Sequence, residues 1–239
     1  MKTEHAPTIQ RADYRPLAWT VETVDLHFRL DPDATLVTNR MRCVRSRDGG
    51  DGPIRLWSEA LERVSLTVDG RAPQALREAG GVIEVDAAGE HVLVEVVTRV
   101  DPRANTTLSG LYLSNGGFFT QCEAEGFRRI TCFPDRPDVM ARYTVTLEAD
   151  REACPVLLSN GNLVDAGLLP EGRHYAKWED PFPKPSYLFA LVAARLVALE
   201  RRVTTMSGRE VLLQVWVEEG NLDRVEHAMD SLVHSMRWD

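Results

Sequence analysis

The sequence of 239 residues contains no apolar run long enough to cross a membrane. Its longest mostly apolar stretch, at 187–199, is interrupted by Arg195 and falls short of the ~20 residues that a bilayer-spanning helix needs. Residues 1–7 include Glu and His and lack the apolar centre of a signal peptide. These absences predict a cytoplasmic protein that makes no contact with a membrane.

Basic residues are fewer than acidic ones: 28 Lys and Arg stand against 36 Asp and Glu, and the formal net charge is −8. A protein that binds nucleic acid through general attraction to phosphate needs a basic surface, so no nucleic-acid partner is expected. The 44% of apolar and 27% of charged residues are ordinary for a globular protein. A chain of this length can bury a core without a disulfide or a metal.

Cysteine is scarce, and its four copies have neither C-x-x-C nor zinc-ribbon spacing: Cys43, Cys122, Cys132 and Cys154. We expect four free, buried thiols in a reducing compartment. A thiolate at Cys122 or Cys132 would need a nearby histidine to act as a nucleophile. Because no sequence feature brings a histidine to either position, a cysteine hydrolase is a third and less favoured class.

The motifs H-E-x-x-H, G-x-G-x-x-G, G-x-S-x-G and the P-loop are all missing. His227, Asp230 and His234 lie three and four residues apart on one face of a predicted helix, which is a spacing that metal ligands can have. A solvated helix face is the favoured interpretation of these three residues.

Strands with a period of two dominate what is present. Apolar and charged residues alternate over 19–30 and over 35–45, which indicates half-buried strands. Closely spaced strands favour a β-sandwich. Residues 181–185 hold three prolines and are predicted to be a stiff extended segment outside any central strand. The shorter strand candidates are 54–57, 64–68, 82–85, 92–100, 143–147, 156–159, 175–178 and 187–192.

Residues 105–140 are rich in Gly and aromatic residues and show no clean period, which is typical of loops that carry function. Further on, strands at 197–205 and 210–217 flank Ser207-Gly208 and predict a hairpin. A helix is predicted to follow with Asn221 as its N-cap. Its apolar stripe has steps of three and four and consists of Leu222, Val225, Met229, Leu232, Val233 and Met236.

Two carboxylates in the middle segment, Glu123 and Glu125, are two residues apart. In an extended segment both would lie on one face and repel each other unless a cation lay beside them. The cation can be a structural arginine or the protonated amine of a ligand, and spacing alone favours the arginine. The candidate arginines are Arg128, Arg129 and Arg136.

Long strings in the same region give a more specific signal. QCEAEGFR at 121–128 and FPDRPDVMAR at 133–142 resemble the bacterial branch of the aminopeptidase N family, which are zinc metallopeptidases. The resemblance runs from about Tyr14 to Asp239. Other strings that carry it are LSNGN at 158–162, KWEDPFPKPSYLFALV at 177–192, SGREV at 207–211 and GNLDR at 220–224.

The resemblance implies a mainly β fold. Residues 1–195 would form an N-terminal β-sandwich or saddle domain, and 196–239 would open a thermolysin-like catalytic domain with a β-hairpin and one amphipathic helix. The family binds zinc through H-E-x-x-H and a distant Glu, which would lie downstream of residue 239. No catalytic or zinc-binding residue, and no bound zinc, is therefore expected in this truncated chain, and we expect it to be inactive without the missing catalytic domain.

Residue roles also follow from the resemblance. Glu123, in the family's Q-C-E-A-E-G motif, would anchor the free amine at the N-terminus of a peptide, and Gln121 would line the pocket for the first side chain. Glu125 and Arg128 would support the loop. The sequence departs from the family at Cys132, where an aromatic residue is usual, and at 194–195, where Gly-Asp is common.

Two main function classes remain. The first is the N-terminal part of a zinc aminopeptidase that removes N-terminal residues from peptides. The alternative is a non-catalytic β-sandwich binding module, for which the missing motifs would be natural. If the catalytic domain is absent, the apolar stripe of the C-terminal helix should be uncovered, which predicts self-association or disorder at 196–239.

Overall fold

The computed structural model describes residues 10–238 and is mainly β. Residues 1–7, which were predicted not to form a signal peptide, lie outside the described residues, as does Asp239. One helix, α1 (Glu226–Trp238), is present in the described part. The strands there are β1 (Trp19–Arg29), β2 (Thr35–Arg45), β3 (Ile54–Trp57), β4 (Glu62–Val68), β5 (Leu76–Ala79), β6 (Val82–Val85), β7 (His91–Val100), β8 (Gly110–Ser114), β9 (Gly117–Gln121), β10 (Ala141–Asp150), β11 (Val156–Ser159), β12 (Asn162–Leu168), β13 (Arg173–Lys184), β14 (Leu191–Ala194), β15 (Val197–Thr204) and β16 (Glu210–Val217).

The largest sheet has seven strands in the order β12-β13-β10-β1-β2-β7-β4. Its neighbours are antiparallel except for β1 and β10, which run parallel. A four-stranded sheet, β11-β14-β9-β8, and a three-stranded sheet, β3-β6-β5, complete the main body. One cluster of buried side chains includes residues of all three sheets, so the sheets share a single core.

The predicted alternation of the first two strands is confirmed. Val24 and Leu26 are buried while Asp25 between them is exposed, and Met41 is buried beside the exposed Arg40. A half-buried strand must place every second side chain in the core, so the sequence period fixes which face packs inward. The mainly β fold expected from the sequence is likewise confirmed.

Strands β5, β8, β9 and β12 were not predicted. The hairpin of β8 and β9 lies in the region read as loop, and it turns at Asn115 and Gly116, both with positive φ. Asn-Gly is the strongest short-range hairpin signal, because both residues tolerate this backbone conformation. Because glycines and polar residues surround this turn, the two short strands show no clear alternation of apolar and polar residues in the sequence.

The prediction of a strand at 187–192 was wrong for residues 187–190. Residues Ser186–Leu188 form a 3-10 turn, closed by a hydrogen bond from the backbone N–H of Phe189 to the carbonyl oxygen of Ser186. The strand begins only at Leu191. Pro185 fixes the backbone ahead of this turn.

The prolines at 181–185 were predicted to stay out of any central strand, and this was also wrong in part. Residues 181–184 belong to β13, which lies between β12 and β10 in the sheet order. The pairing with β12 ends at Glu179, however, and the register with β10 shifts between Tyr143 and Ala141. The prolines therefore lie where the ladder is one-sided and irregular, so few N–H donors are needed.

The predicted hairpin is confirmed as β15 and β16, but the N-cap was wrong. Helix α1 begins at Glu226, because a 3-10 turn at Leu222–Arg224 comes first, and the side chain of Asn221 makes no capping hydrogen bond. Within residues 10–238, no helix is both long and apolar enough to span a membrane.

Helix α1 packs on the hairpin rather than standing alone. Met229 is fully buried and Val233 is 9% exposed, and together with Leu213 they form a second cluster that is separate from the main core. The hairpin thus covers the centre of the apolar stripe, whereas Leu222 and Leu232 remain exposed. The domain division between 195 and 196 and the self-association of the helix stay predictions.

Candidate functional site

The segment after β9 turns sharply and is not extended. Gln121, the last residue of β9, is exposed, Cys122 is buried, and Glu123 and Glu125 are both exposed. The peptide bond between Glu123 and Ala124 is cis. Because residues 123–126 form a turn, the two carboxylates do not share one face of a strand, as the extended interpretation required, and each has its own surroundings.

A close backbone approach shapes the turn at 122–126, which we call the anchor turn. The backbone N–H of Gly126 donates to the carbonyl oxygen of Cys122 at 2.8 Å. A Cβ atom at position 126 would lie 2.2 Å from the carbonyl oxygen of Gln121 and 2.9 Å from the Cα of Cys122. Only glycine fits this position, because any side chain would overlap the backbone of the incoming strand.

Arg128 ties the anchor turn to the segment that follows it. Its guanidinium lies 3.3 Å from the carboxylate of Glu125 and 3.0 Å from that of Asp135. The side chain of Arg128 is 13% exposed and that of Asp135 only 1%, so their ion pair is shielded from water. Charge-assisted hydrogen bonds in such surroundings are strong and directional. Glu125 and Arg128 are thus in contact, as loop-supporting residues would be.

The other two candidate arginines also have carboxylate partners. Arg129 bonds Glu59 at 2.7 Å and Arg136 bonds Asp138 at 2.6 Å. None of the described basic residues forms an ion pair with Glu123. The structural arginine that spacing favoured is therefore the partner of Glu125, and the Glu123 carboxylate stays open to solvent.

Aromatic packing holds the far side of the turn. Phe127, which follows Gly126, is fully buried and meets Phe133 edge to face with ring centroids 5.0 Å apart. It also contacts Phe189 at 5.3 Å and Tyr143 at 6.2 Å in similar geometry. Such edge-to-face contacts add to the burial of the rings. The anchor turn is therefore fixed to the core at its C-terminal end.

Asp135 is the polar residue that sequence reasoning missed. Its carboxylate accepts hydrogen bonds from the backbone N–H and the Nε of Arg128 and from the hydroxyl of Ser186. The one available signal was its place within the string at 133–142, since the burial of a carboxylate depends on segments far apart in sequence.

The four cysteines are free and buried, as predicted. Burial raises the pKa of the Cys43 thiol to about 12 and that of Cys154 to about 11. Burial is also the main cause that raises the pKa of Cys122 and of Cys132. A nucleophilic cysteine needs a depressed pKa, so the thiols have the opposite property and a cysteine hydrolase is disfavoured.

Metal ligands are not gathered in the part of the chain that the structure describes: no three His, Cys, Asp or Glu residues are placed to hold an ion. On α1, His227, Asp230 and His234 are all exposed to solvent, and the carboxylate of Asp230 pairs with Arg201 of β15. The solvated helix face is thus the better interpretation of these three residues.

The sequence is similar to a known protein family and to known proteins. Residues 92–188 match the model of the Peptidase M1 N-terminal domain. Aminopeptidase N from Caulobacter vibrioides is 48% identical over 242 residues, which cover 100% of this chain and 28% of the relative. The chain thus spans little more than a quarter of that relative's length.

Solved structures share the fold. Aminopeptidase A from Legionella pneumophila, in complex with aspartic acid, has a TM-score of 0.89 at 33% identity, over 95% of this chain and 27% of that one. An M1 zinc metallopeptidase from Deinococcus radiodurans, bound to a Tyr-Ser-Ala substrate, shares the fold alone, with a TM-score of 0.70 and 16% identity, over 85% of this chain and 48% of that one. By sequence and by fold, the chain is similar over its length to bacterial aminopeptidase N, and its residues 92–188 belong to the Peptidase M1 N-terminal domain family.

Proposed function

We propose that this chain is the N-terminal portion of an aminopeptidase N and supplies the wall of the substrate site that receives the free amino terminus of a peptide. Glu123 is the amine anchor, and Gln121 lines the pocket for the first side chain. The observation that supports this is the Glu123 carboxylate, which is exposed and unpaired among the described residues while the arginines around it are all engaged.

A carboxylate that meets the substrate's ammonium group does two things. It selects peptides with a free amino terminus, because the charged hydrogen bond is lost when the amine is blocked. It also fixes how far the peptide enters, which places the first peptide bond at the reacting groups. The structure of the Legionella relative with aspartic acid, which has a free α-amine, supports this substrate class.

Zinc belongs to the proposal for the whole enzyme and not to this chain. A solved structure with the same fold is that of an M1 zinc metallopeptidase. Residues 10–238 do not fit a zinc site, because no three potential ligands converge there. We propose that the missing catalytic domain carries the zinc and that this chain is inactive alone.

Two further parts of the proposal concern organisation. The separate clusters of buried side chains support a first domain over 1–195 and the start of the catalytic domain over 196–239. Four free thiols suit a reducing, cytoplasmic location.

Substitution of Glu123 in the full-length enzyme tests the proposal. Glu123→Gln keeps the shape and removes the charge, so kcat/KM for an aminoacyl substrate should fall by about tenfold or more, as loss of a charge-assisted hydrogen bond predicts. Glu125→Gln is the matched control, because that exposed carboxylate already contacts Arg128. Unchanged kinetics in Glu123→Gln would remove Glu123 from the site.

A further inference from the structure

We infer that Asp135 is a positioning residue for the amine anchor: it holds the anchor turn in place through Arg128. The inference rests on the proposed role of Glu123. Asp135 is exposed by only 4% and lies under the turn, so it touches no substrate and acts through its neighbours.

The contacts of Asp135 join two parts of the chain. Its Oδ2 accepts from the backbone N–H of Arg128 at 3.1 Å and from the Nε at 3.0 Å, and its backbone carbonyl accepts from Nη2 at 2.8 Å. Its Oδ1 accepts from the hydroxyl of Ser186, which precedes β14. Asp135 therefore accepts three hydrogen bonds from Arg128, one from its backbone N–H and two from its guanidinium.

The negative charge of Asp135, and not only its shape, is needed to hold Arg128 in position. Arg128 is largely withdrawn from water, with its guanidinium 5.9 Å from the ring centre of Trp57, and an unpaired charge in such a place is costly. The second carboxylate near Arg128, that of Glu125, is 70% exposed at 3.3 Å, and a pair so accessible to solvent contributes little. Asp135 is thus the main partner that keeps Arg128 in place.

The anchor turn is pinned on both sides of Glu123. On the N-terminal side, Gln121 is fixed by its pairing with Gly110 in β8. On the C-terminal side, Gly126 bonds Cys122 and Arg128 bonds Asp135. If Arg128 lost its contact with Asp135, the C-terminal side of the turn would no longer be held, and the Glu123 carboxylate would move relative to the substrate's amine. A misplacement of about 1 Å can cost ~100-fold in rate.

A double-mutant cycle in the full-length enzyme separates this role from simple stabilisation. Asp135→Asn removes the charge and should lower kcat/KM for a free-amine substrate by about tenfold. In a Glu123→Gln background the same change should cost no more than about twofold further, because the anchor through which Asp135 acts is already lost. A merely structural role would make the two losses multiply, and that result would overturn the inference.

Ser186→Ala is the matched control. It removes the other hydrogen bond to the same carboxylate but leaves the contacts of Arg128 intact. It should lower the Tm and leave kcat/KM of the folded enzyme within about twofold of the parent. A drop in kcat/KM equal to that of Asp135→Asn would show that any loosening of this region has the same effect, against the inference.

Two further outcomes keep the inference apart from the proposed function. If Glu123→Gln alone leaves kcat/KM unchanged, the anchor role fails and the inference fails with it. If Glu123→Gln lowers kcat/KM but Asp135→Asn does not, only the positioning role fails. Should Asp135→Asn not fold, Arg128→Lys keeps a positive charge but loses the two guanidinium hydrogen bonds to Asp135, and it is expected to show the same lack of additivity with Glu123→Gln.

Discussion

The side-chain Nε2 of Gln121 donates a hydrogen bond to the backbone carbonyl oxygen of Glu123 at 3.3 Å. The two residues assigned to the substrate are thus neighbours in space as well as in sequence, and one helps to fix the backbone of the other. The proposed pocket for the first side chain and the proposed amine anchor therefore belong to one small structural unit.

Gln121→Ala should change substrate preference more than it changes overall turnover. Loss of one hydrogen bond of about 1 kcal/mol corresponds to roughly fivefold in a rate constant. We expect the ratio of kcat/KM between alanyl and leucyl chromogenic substrates to shift by about this factor. Kinetics of the full-length enzyme with both substrates provide the measurement, and an unaltered ratio would count against a role of Gln121 in the pocket.

Gly126→Ala should damage the anchor turn, because the new Cβ would lie 2.2 Å from the carbonyl oxygen of Gln121. We expect kcat/KM of the full-length enzyme to fall by about 100-fold, as for a 1 Å displacement of a positioned group. Gly172→Ala is the control, since Gly172 has a positive φ of +72 with open space around it and is not part of the turn. It should cost about 1 kcal/mol of stability without a kinetic effect.

The buried thiols predict how stability responds to alkaline pH. The pKa of Cys43 is raised by burial from 9.0 to about 12, so the thiol stays protonated in the native state while the unfolded chain loses its proton above pH 9. The stabilisation is complete below pH 9 and is lost as the pH rises towards 12. Cys43→Ala should remove this contribution, so its free energy of unfolding should fall less steeply than that of the parent over this range.

Thiol labelling checks the same property directly. At pH 8 the native chain should react with a thiol reagent only slowly at all four cysteines, and rapidly after unfolding in denaturant. A thiol that reacts rapidly in the native state would contradict this prediction and support the hypothesis of a nucleophilic cysteine.

The isolated 239-residue chain should show no turnover of an aminoacyl chromogenic substrate and no stoichiometric zinc by metal analysis. The reason is that the described residues gather no metal ligands, while the proposed amine anchor would only position a substrate. Turnover that survives repurification, or one tightly held zinc per chain, contradicts this prediction.

Self-association of the isolated chain should depend on the exposed part of α1. Leu232 is 37% exposed, whereas Met229 is fully buried against the hairpin. Leu232→Lys should therefore weaken association, measured by light scattering on a sizing column, without lowering the Tm. Met229→Ala should lower stability by about 2–5 kcal/mol, the usual cost of such a buried truncation. If the parent chain is monomeric at all concentrations, the prediction that it self-associates is wrong.

The sequence by itself determined the long strands and the family. The period of two in β1 and β2 predicted their buried faces, because strand geometry alone sends alternate side chains to opposite sides. Strings such as the one at 121–128 predicted the relationship to aminopeptidase N. Local patterns did not predict the 3-10 turn at Ser186–Leu188 or the start of α1, since those depend on which neighbouring segment pairs or packs there.

Only the tertiary structure decided which carboxylate is left open. Glu123 and Glu125 look alike in the sequence, yet the fold of the turn gives Arg128 to Glu125 and leaves Glu123 unpaired among the described residues. Asp135 is buried, and its carboxylate accepts a hydrogen bond from Ser186, 51 positions further along. Burial and charge pairing depend on contacts between distant segments, and no pattern within a short stretch of sequence carries that information.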